Sequence, residues 1–135
     1  MRREDLLQEA RKAWELAYVP YSGFRVGAAV LTRDGRIYSG CNIENAAYSP
    51  TNCAERTAIF KAVSEGAREF AALAVVADTK QPVSPCGVCR QVIAEFFPED
   101  AVIYLSNLAG DVWETNIAEL LPAAFTNKEL KEQQK

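Results

Sequence analysis

Apolar positions near the start of the chain recur at helical spacing. Leu6, Leu7, Ala10, Ala13, Trp14 and Ala17 form one stripe with charges opposite. That pattern predicts an amphipathic helix over residues 4–18, ended by Pro20. The period then changes. Val26–Leu31 and Ile37–Cys41 are short apolar runs flanking Arg33-Asp34-Gly35-Arg36, which predicts a β-hairpin. Residues 42–52 are polar and irregular. A second helical pattern runs from Cys53 to about Glu65, with Thr51 or Asn52 as its cap and Gly66 as its stop. Leu73–Ala77 is continuously apolar, like a strand buried on both faces. A third helix is predicted over Cys86–Phe97, then strands at Ala101–Leu105 and Val112–Thr115, and a short helix around Ile117–Leu121 before Pro122. Residues 127–135 are polar apart from Leu130 and read as a frayed tail. The order α-β-β-α-β-α-β-β-α predicts one domain over residues 1–126. Its architecture is a three-layer α/β/α sandwich around a five-stranded mixed sheet, with the third and fourth strands parallel.

Composition narrows the chemistry. The chain has 135 residues, 49% of them hydrophobic, a net charge of −3 and no histidine. The absence of histidine excludes Ser-His-Asp and Cys-His catalysis and any imidazole-ligated metal. Proton transfer falls to Asp, Glu, Lys, Tyr or Cys, and a soft-metal site must be made of thiolates. The negative balance argues against binding duplex nucleic acid. The longest clean apolar run, Phe70–Ala77, falls far short of the roughly 20 residues of a membrane span. The charged Arg2-Arg3-Glu4-Asp5 start does not resemble a signal peptide. A cytoplasmic location is expected, with the four cysteines as free thiols or metal ligands.

Two cysteine segments stand where helices should begin: Cys53-Ala54-Glu55-Arg56 and Pro85-Cys86-Gly87-Val88-Cys89-Arg90. Helix N-termini favour thiolates. Cys86 and Cys89 share a helix face and can bite one ion, with Cys53 as a third ligand. Three ligands leave a tetrahedral position open, as in a catalytic zinc site. A CxxC pair alone also fits disulfide redox chemistry or buried core thiols. Redox chemistry leaves Cys53 and Glu55 unexplained. Cys41 ends a strand and reads as a small core hydrophobe. Glu55 would ordinarily be a surface acid complementing the helix dipole. Beside an open zinc position it is a candidate proton carrier. Three thiolates and one Zn²⁺ sum to −1, which weakens the Lewis acid, so one arginine is expected against the sulfurs, Arg56 in preference to Arg90.

Cys53-Ala54-Glu55 followed by Pro85-Cys86-Gly87-Val88-Cys89 resembles the all-cysteine form of the zinc deaminases. Tyr18-Val19-Pro20-Tyr21-Ser22-Gly23-Phe24, Val26-Gly27-Ala28-Ala29 and Gly40–Tyr48 extend the resemblance to the small homotetrameric cytidine deaminases, from the first helix to Phe125. It implies the cytidine deaminase-like fold, one Zn²⁺ per chain and hydrolysis of cytidine and 2′-deoxycytidine in pyrimidine salvage. It also implies Glu55 as the catalytic carboxylate and Cys53, Cys86 and Cys89 as ligands. Phe24 would stack on the pyrimidine, and Asn42 and Glu44 would clamp the ribose. Backbone groups of Ala54 and Ser84 would hold the base edge. Gln91 would lie near the water on the zinc, and Tyr48 and Phe125 would reach subunit boundaries to close shared active sites. Rival readings are a same-fold deaminase of another substrate, a non-catalytic zinc module and a thiol-redox protein. The first could take an aminoglycosyl-cytosine antibiotic, guanine or a polynucleotide base. Polynucleotide editing fits poorly, because the chain is short, acidic and lacks a basic groove.

Overall fold

The computed structural model describes residues 2–133. Helix α1 spans Arg3–Trp14, and the hairpin strands are β1 (Val26–Thr32) and β2 (Ile37–Cys41). Helix α2 (Ala54–Ser64) leads into β3 (Phe70–Ala77), and α3 (Gly87–Phe96) into β4 (Val102–Asn107). Strand β5 (Val112–Thr115) and the short helices α4 (Ile117–Leu120) and α5 (Asn127–Gln133) complete the chain. The sheet order is β2-β1-β3-β4-β5, with β3 and β4 parallel and every other pair antiparallel. This is the expected five-stranded mixed sheet.

The strands bury both faces. On one side Ala28, Val30, Leu73, Val75, Ile103 and Leu105 pack against Ala58, Ile59 and Ala62 of α2 and Ile93 of α3. On the other, Ala29, Ala72, Ala74 and Val76 meet Leu6 and Ala10 of α1. Small residues set the helix approach. A Cβ at Gly27 would lie 2.0 Å from the Ala10 carbonyl oxygen, and one at Gly40 would lie 2.6 Å from the Ala58 nitrogen. These contacts lie below any tolerable separation, so both glycines are needed for α1 and α2 to seat on the sheet.

Four local expectations meet a different arrangement. Helix α1 stops at Trp14, four residues before Tyr18. The competing interaction is a β-bridge: the Tyr18 N–H donates to the Asn42 carbonyl at 3.0 Å, and the Glu44 N–H donates to the Tyr18 carbonyl at 2.9 Å. Neither Thr51 nor Asn52 caps α2; Cys53 is its N-cap. The Thr51 hydroxyl accepts from the Asn45 N–H at 3.2 Å, and the Asn52 amide donates to the Thr57 hydroxyl at 3.1 Å. Of the segment expected to fray, residues 127–133 carry α5, whose start is held by the Glu129 carboxylate accepting from both the N–H and the hydroxyl of Thr126, at 2.7 and 2.9 Å, and residues 134–135 lie outside the described residues. Cys41 is half-buried rather than enclosed in the core.

Candidate active site

Helix α2 runs back along the sheet into β3, and α3 begins just beyond the end of β3. The two helix starts therefore converge. Cys53 is the N-cap of α2 and Cys86 the N-cap of α3, both in extended backbone conformation. Their Sγ atoms are 3.7 Å apart. Cys89, in the first turn of α3, is fully buried. The sulfurs of Cys53, Cys86 and Cys89 all lie within 4.8 Å of one another. A tetrahedral zinc with bonds of roughly 2.3 Å holds its sulfurs about 3.8 Å apart, so this trio fits the ion in type and in spacing. No disulfide joins them.

Charge around the sulfurs is arranged locally. The neighbouring Cys89 thiol holds Cys53 as the thiolate, at a pKa of about 5, against the opposing effect of burial. Arg56 adds to this, its Nη2 donating to Cys53 Sγ at 3.3 Å. The adjacent Cys53 sulfur, together with burial, pushes the Cys89 thiol far up. The Cys89 N–H also points at Cys86 Sγ, at 3.5 Å. Arg56 is thus the arginine against the sulfurs. Arg90 instead clamps the loop before Cys86: it donates to the Pro85 carbonyl at 2.8 Å, the Ser84 hydroxyl at 2.7 Å and the Leu120 carbonyl at 2.7 Å.

Glu55 lies in the first turn of α2, with only 4% of its surface exposed. Burial raises its pKa to about 7, and the neighbouring Cys53 charge adds to the rise. A solvated surface acid is therefore excluded. The carboxyl sits beside the Cys89 thiol. Ala54, which precedes it, is wholly buried, and its backbone lies in the first turn of α2, where N–H groups lack intrahelical partners.

A second group of residues gathers on the loop before β1. The Glu44 Oε1 accepts from the N–H groups of Tyr21 and Ser22, both at 3.0 Å, and Oε2 accepts from the Ser22 hydroxyl. Ser22 supplies the largest part of the resulting downward shift in the Glu44 pKa. Asn42 accepts from the Val26 N–H at 2.9 Å and donates to the Phe24 carbonyl at 2.8 Å. Asn42 and Glu44 therefore hold the loop carrying Phe24, whose ring is 45% exposed. Ser22 and the Tyr21 amide were not singled out by sequence; the polar Ser22 within an otherwise apolar and aromatic stretch was the available signal.

The remaining candidates lie further out. Tyr48 has a φ of +63° and packs edge-on to Tyr21, with ring centroids 6.2 Å apart. Tyr48 and Phe125 are 72% and 59% exposed. Gln91 donates its amide to the Phe125 carbonyl at 2.7 Å, so that amide is directed at the C-terminal segment.

Comparison with known proteins agrees with this geometry. Residues 1–105 match the model of the cytidine and deoxycytidylate deaminase zinc-binding region. A cytidine deaminase of Sporosarcina psychrophila is 66% identical over 127 residues, covering 94% of this chain and 93% of its own. One from Halalkalibacterium halodurans is 59% identical over 132 residues, covering 98% and 100%. The crystal structure of cytidine deaminase from Burkholderia pseudomallei superposes with a TM-score of 0.90 at 50% identity, over 93% of this chain and all of that one. The chain belongs to the cytidine and deoxycytidylate deaminase family.

Proposed function

We propose that the protein hydrolyses cytidine and 2′-deoxycytidine to uridine and 2′-deoxyuridine, releasing ammonia, as a zinc-dependent enzyme of pyrimidine salvage. The observation that carries this reading is the convergence of Cys53, Cys86 and Cys89 beside a buried Glu55. The zinc held by those sulfurs supplies Lewis acidity and makes a water nucleophilic near neutral pH. Glu55 takes the proton of the attacking water as its oxygen bonds to C4 of the pyrimidine, and delivers it to N3. It then takes the second proton from that same oxygen, now on C4, and gives it to the exocyclic nitrogen, which leaves as ammonia as the C4–N bond breaks and the C4 carbonyl forms. The chain has no histidine, and Glu55, buried beside the cysteine cluster, serves both transfers, within hydrogen-bond reach of the water and the base edge. Arg56 offsets the excess negative charge of three thiolates. Phe24 stacks on the pyrimidine, the Ala54 and Ser84 backbones hold its edge, and Asn42 and Glu44 receive the sugar. Gln91 anchors the C-terminal segment behind Phe125.

The protein acts as a homotetramer with shared active sites, in which Tyr48 and Phe125 reach a neighbour's pocket. Support comes from their exposure together with that of Leu16, Phe60 and Val88, apolar area that a second copy would cover. No helix among the described residues is long and apolar enough to cross a membrane, and the free thiols suit the reducing cytoplasm. An absorbance assay on cytidine, 2′-deoxycytidine, cytosine, CMP and adenosine, with metal content and sedimentation mass measured on the same sample, tests the reading. Turnover of the two nucleosides by a zinc-bearing tetramer is expected. Zinc without ammonia release would indicate a non-catalytic module, and a reversible Cys86–Cys89 disulfide without metal a redox protein.

A further inference from the structure

Phe24 is nearly half exposed, so the core does not set the direction of its ring. Its main chain must do so. Both polar groups of that main chain are held by side chains of the pocket. The Phe24 carbonyl accepts from Asn42 Nδ2 at 2.8 Å, and the Phe24 N–H donates to Ser22 Oγ at 3.0 Å. The Ser22 hydroxyl in turn donates to Glu44 Oε2. A hydroxyl can give one proton and accept at its lone pairs. Here donation to Glu44 turns a lone pair of Oγ toward the Phe24 amide. The loop between them is constrained as well: Gly23 adopts a φ of +69° and donates its N–H to the Val19 carbonyl at 3.0 Å. The chain Phe24 N–H to Ser22 to Glu44 thus ties the residue proposed to stack on the base to the residue proposed to bind the sugar.

We infer that Ser22 is a positioning residue that fixes the Phe24 ring from Glu44, so that base stacking and sugar binding form one coupled unit. The inference rests on the deaminase reading and goes beyond it, since Ser22 touches no reacting atom. Removing the hydroxyl breaks both links while leaving the zinc centre intact. Ser22→Ala should raise the KM for cytidine about tenfold, the size expected for losing a hydrogen bond to a charged group. It should leave kcat within about twofold. Ser22→Thr keeps the hydroxyl and should restore the KM. In a Phe24→Ala background, Ser22→Ala should raise the KM by clearly less than it does in the wild type, because the ring it aims is gone and only the loss at Glu44 remains. The experiment is steady-state kinetics on wild type, the three single variants and the Ser22→Ala/Phe24→Ala double variant, with zinc content as a control. An NMR comparison of the Phe24 amide should show its resonance moving in Ser22→Ala and not in Ser22→Thr. Additive effects of Ser22→Ala and Phe24→Ala would overturn the inference, as would an unmoved KM in Ser22→Ala or a fall in kcat alone. A wild type inert towards cytidine would instead overturn the deaminase reading beneath it.

Discussion

The cysteine cluster and the Tyr18–Phe24 loop face the same proposed substrate and are built in opposite ways. The cluster stands on the starts of two helices, with Cys89 and Glu55 buried behind it. Its geometry is set by packing of α2 and α3 against β1 and β3, and its charge is offset by one arginine, Arg56. The loop is exposed, and side chains acting on main-chain groups hold it: Glu44 takes two N–H groups and a hydroxyl, and Asn42 spans Phe24 and Val26. The contrast suits a division of labour. Atoms that move protons need a fixed, dry setting, whereas a surface that admits and releases a nucleoside needs bonds that are individually weak.

Breaking the cluster should have the largest effects. Glu55→Gln is close to isosteric and removes the proposed proton carrier. It should keep zinc and fold while kcat falls at least a hundredfold, the lower range for a general acid–base group. More than a tenth of wild-type turnover would remove Glu55 from the reaction. Cys86→Ala should lose stoichiometric zinc and, with it, turnover. The apolar core should limit the stability loss to a few kcal/mol, although zinc can contribute on the order of 10 kcal/mol in small metal-folded domains. Full zinc retention by atomic absorption would refute the ligand assignment. Arg56→Gln should leave all three ligands in place yet lower kcat by about 10–100-fold, the usual scale for groups supporting a metal's ligands. Unchanged turnover would make Arg56 an ordinary cation.

The loop offers the smallest and most local test. The Glu44 pKa is lowered from 4.5, first by the Ser22 hydroxyl and then by the Ser22 and Tyr21 amides. A carboxyl depressed in the folded state contributes stability above its unfolded pKa and loses it as pH falls through the folded value. Amide resonances of Tyr21 and Ser22 should therefore hold steady above about pH 4.5 and move together below it, and in Glu44→Gln they should not titrate. A midpoint above 4.5 would contradict the hydrogen-bonded carboxylate.

The two regions also differ in how far sequence reveals them. The short apolar strand runs, the hairpin, the parallel β3–β4 pair and both cysteine-bearing helix starts follow from period and punctuation. Three thiols at two such starts require little more to imply a metal. The loop carries no periodic signal. Asn42 and Glu44 stood out only through family resemblance, as sugar ligands, and their hold on residues 21–26 depends on which main-chain groups fold within reach. The same competition shortens α1: Tyr18 sits within an uninterrupted helical pattern, yet its backbone pairs with residues 42–44. Capping of α2 was missed because Thr51 and Asn52, good caps by type, are engaged elsewhere and a cysteine holds the position. Helix α5 was missed because Thr126 and Glu129 lie at the edge of a segment whose polarity resembles that of a tail.

The central claim is that one zinc held by Cys53, Cys86 and Cys89 makes this chain a cytidine deaminase. It is tested most directly by measuring ammonia release from cytidine while zinc is withdrawn stepwise with a chelator and then returned. The rate should fall in proportion to bound zinc, extrapolate to one ion per chain at full activity, and recover on reloading. Full activity in the zinc-free protein, or a fully loaded protein that releases no ammonia, would contradict it.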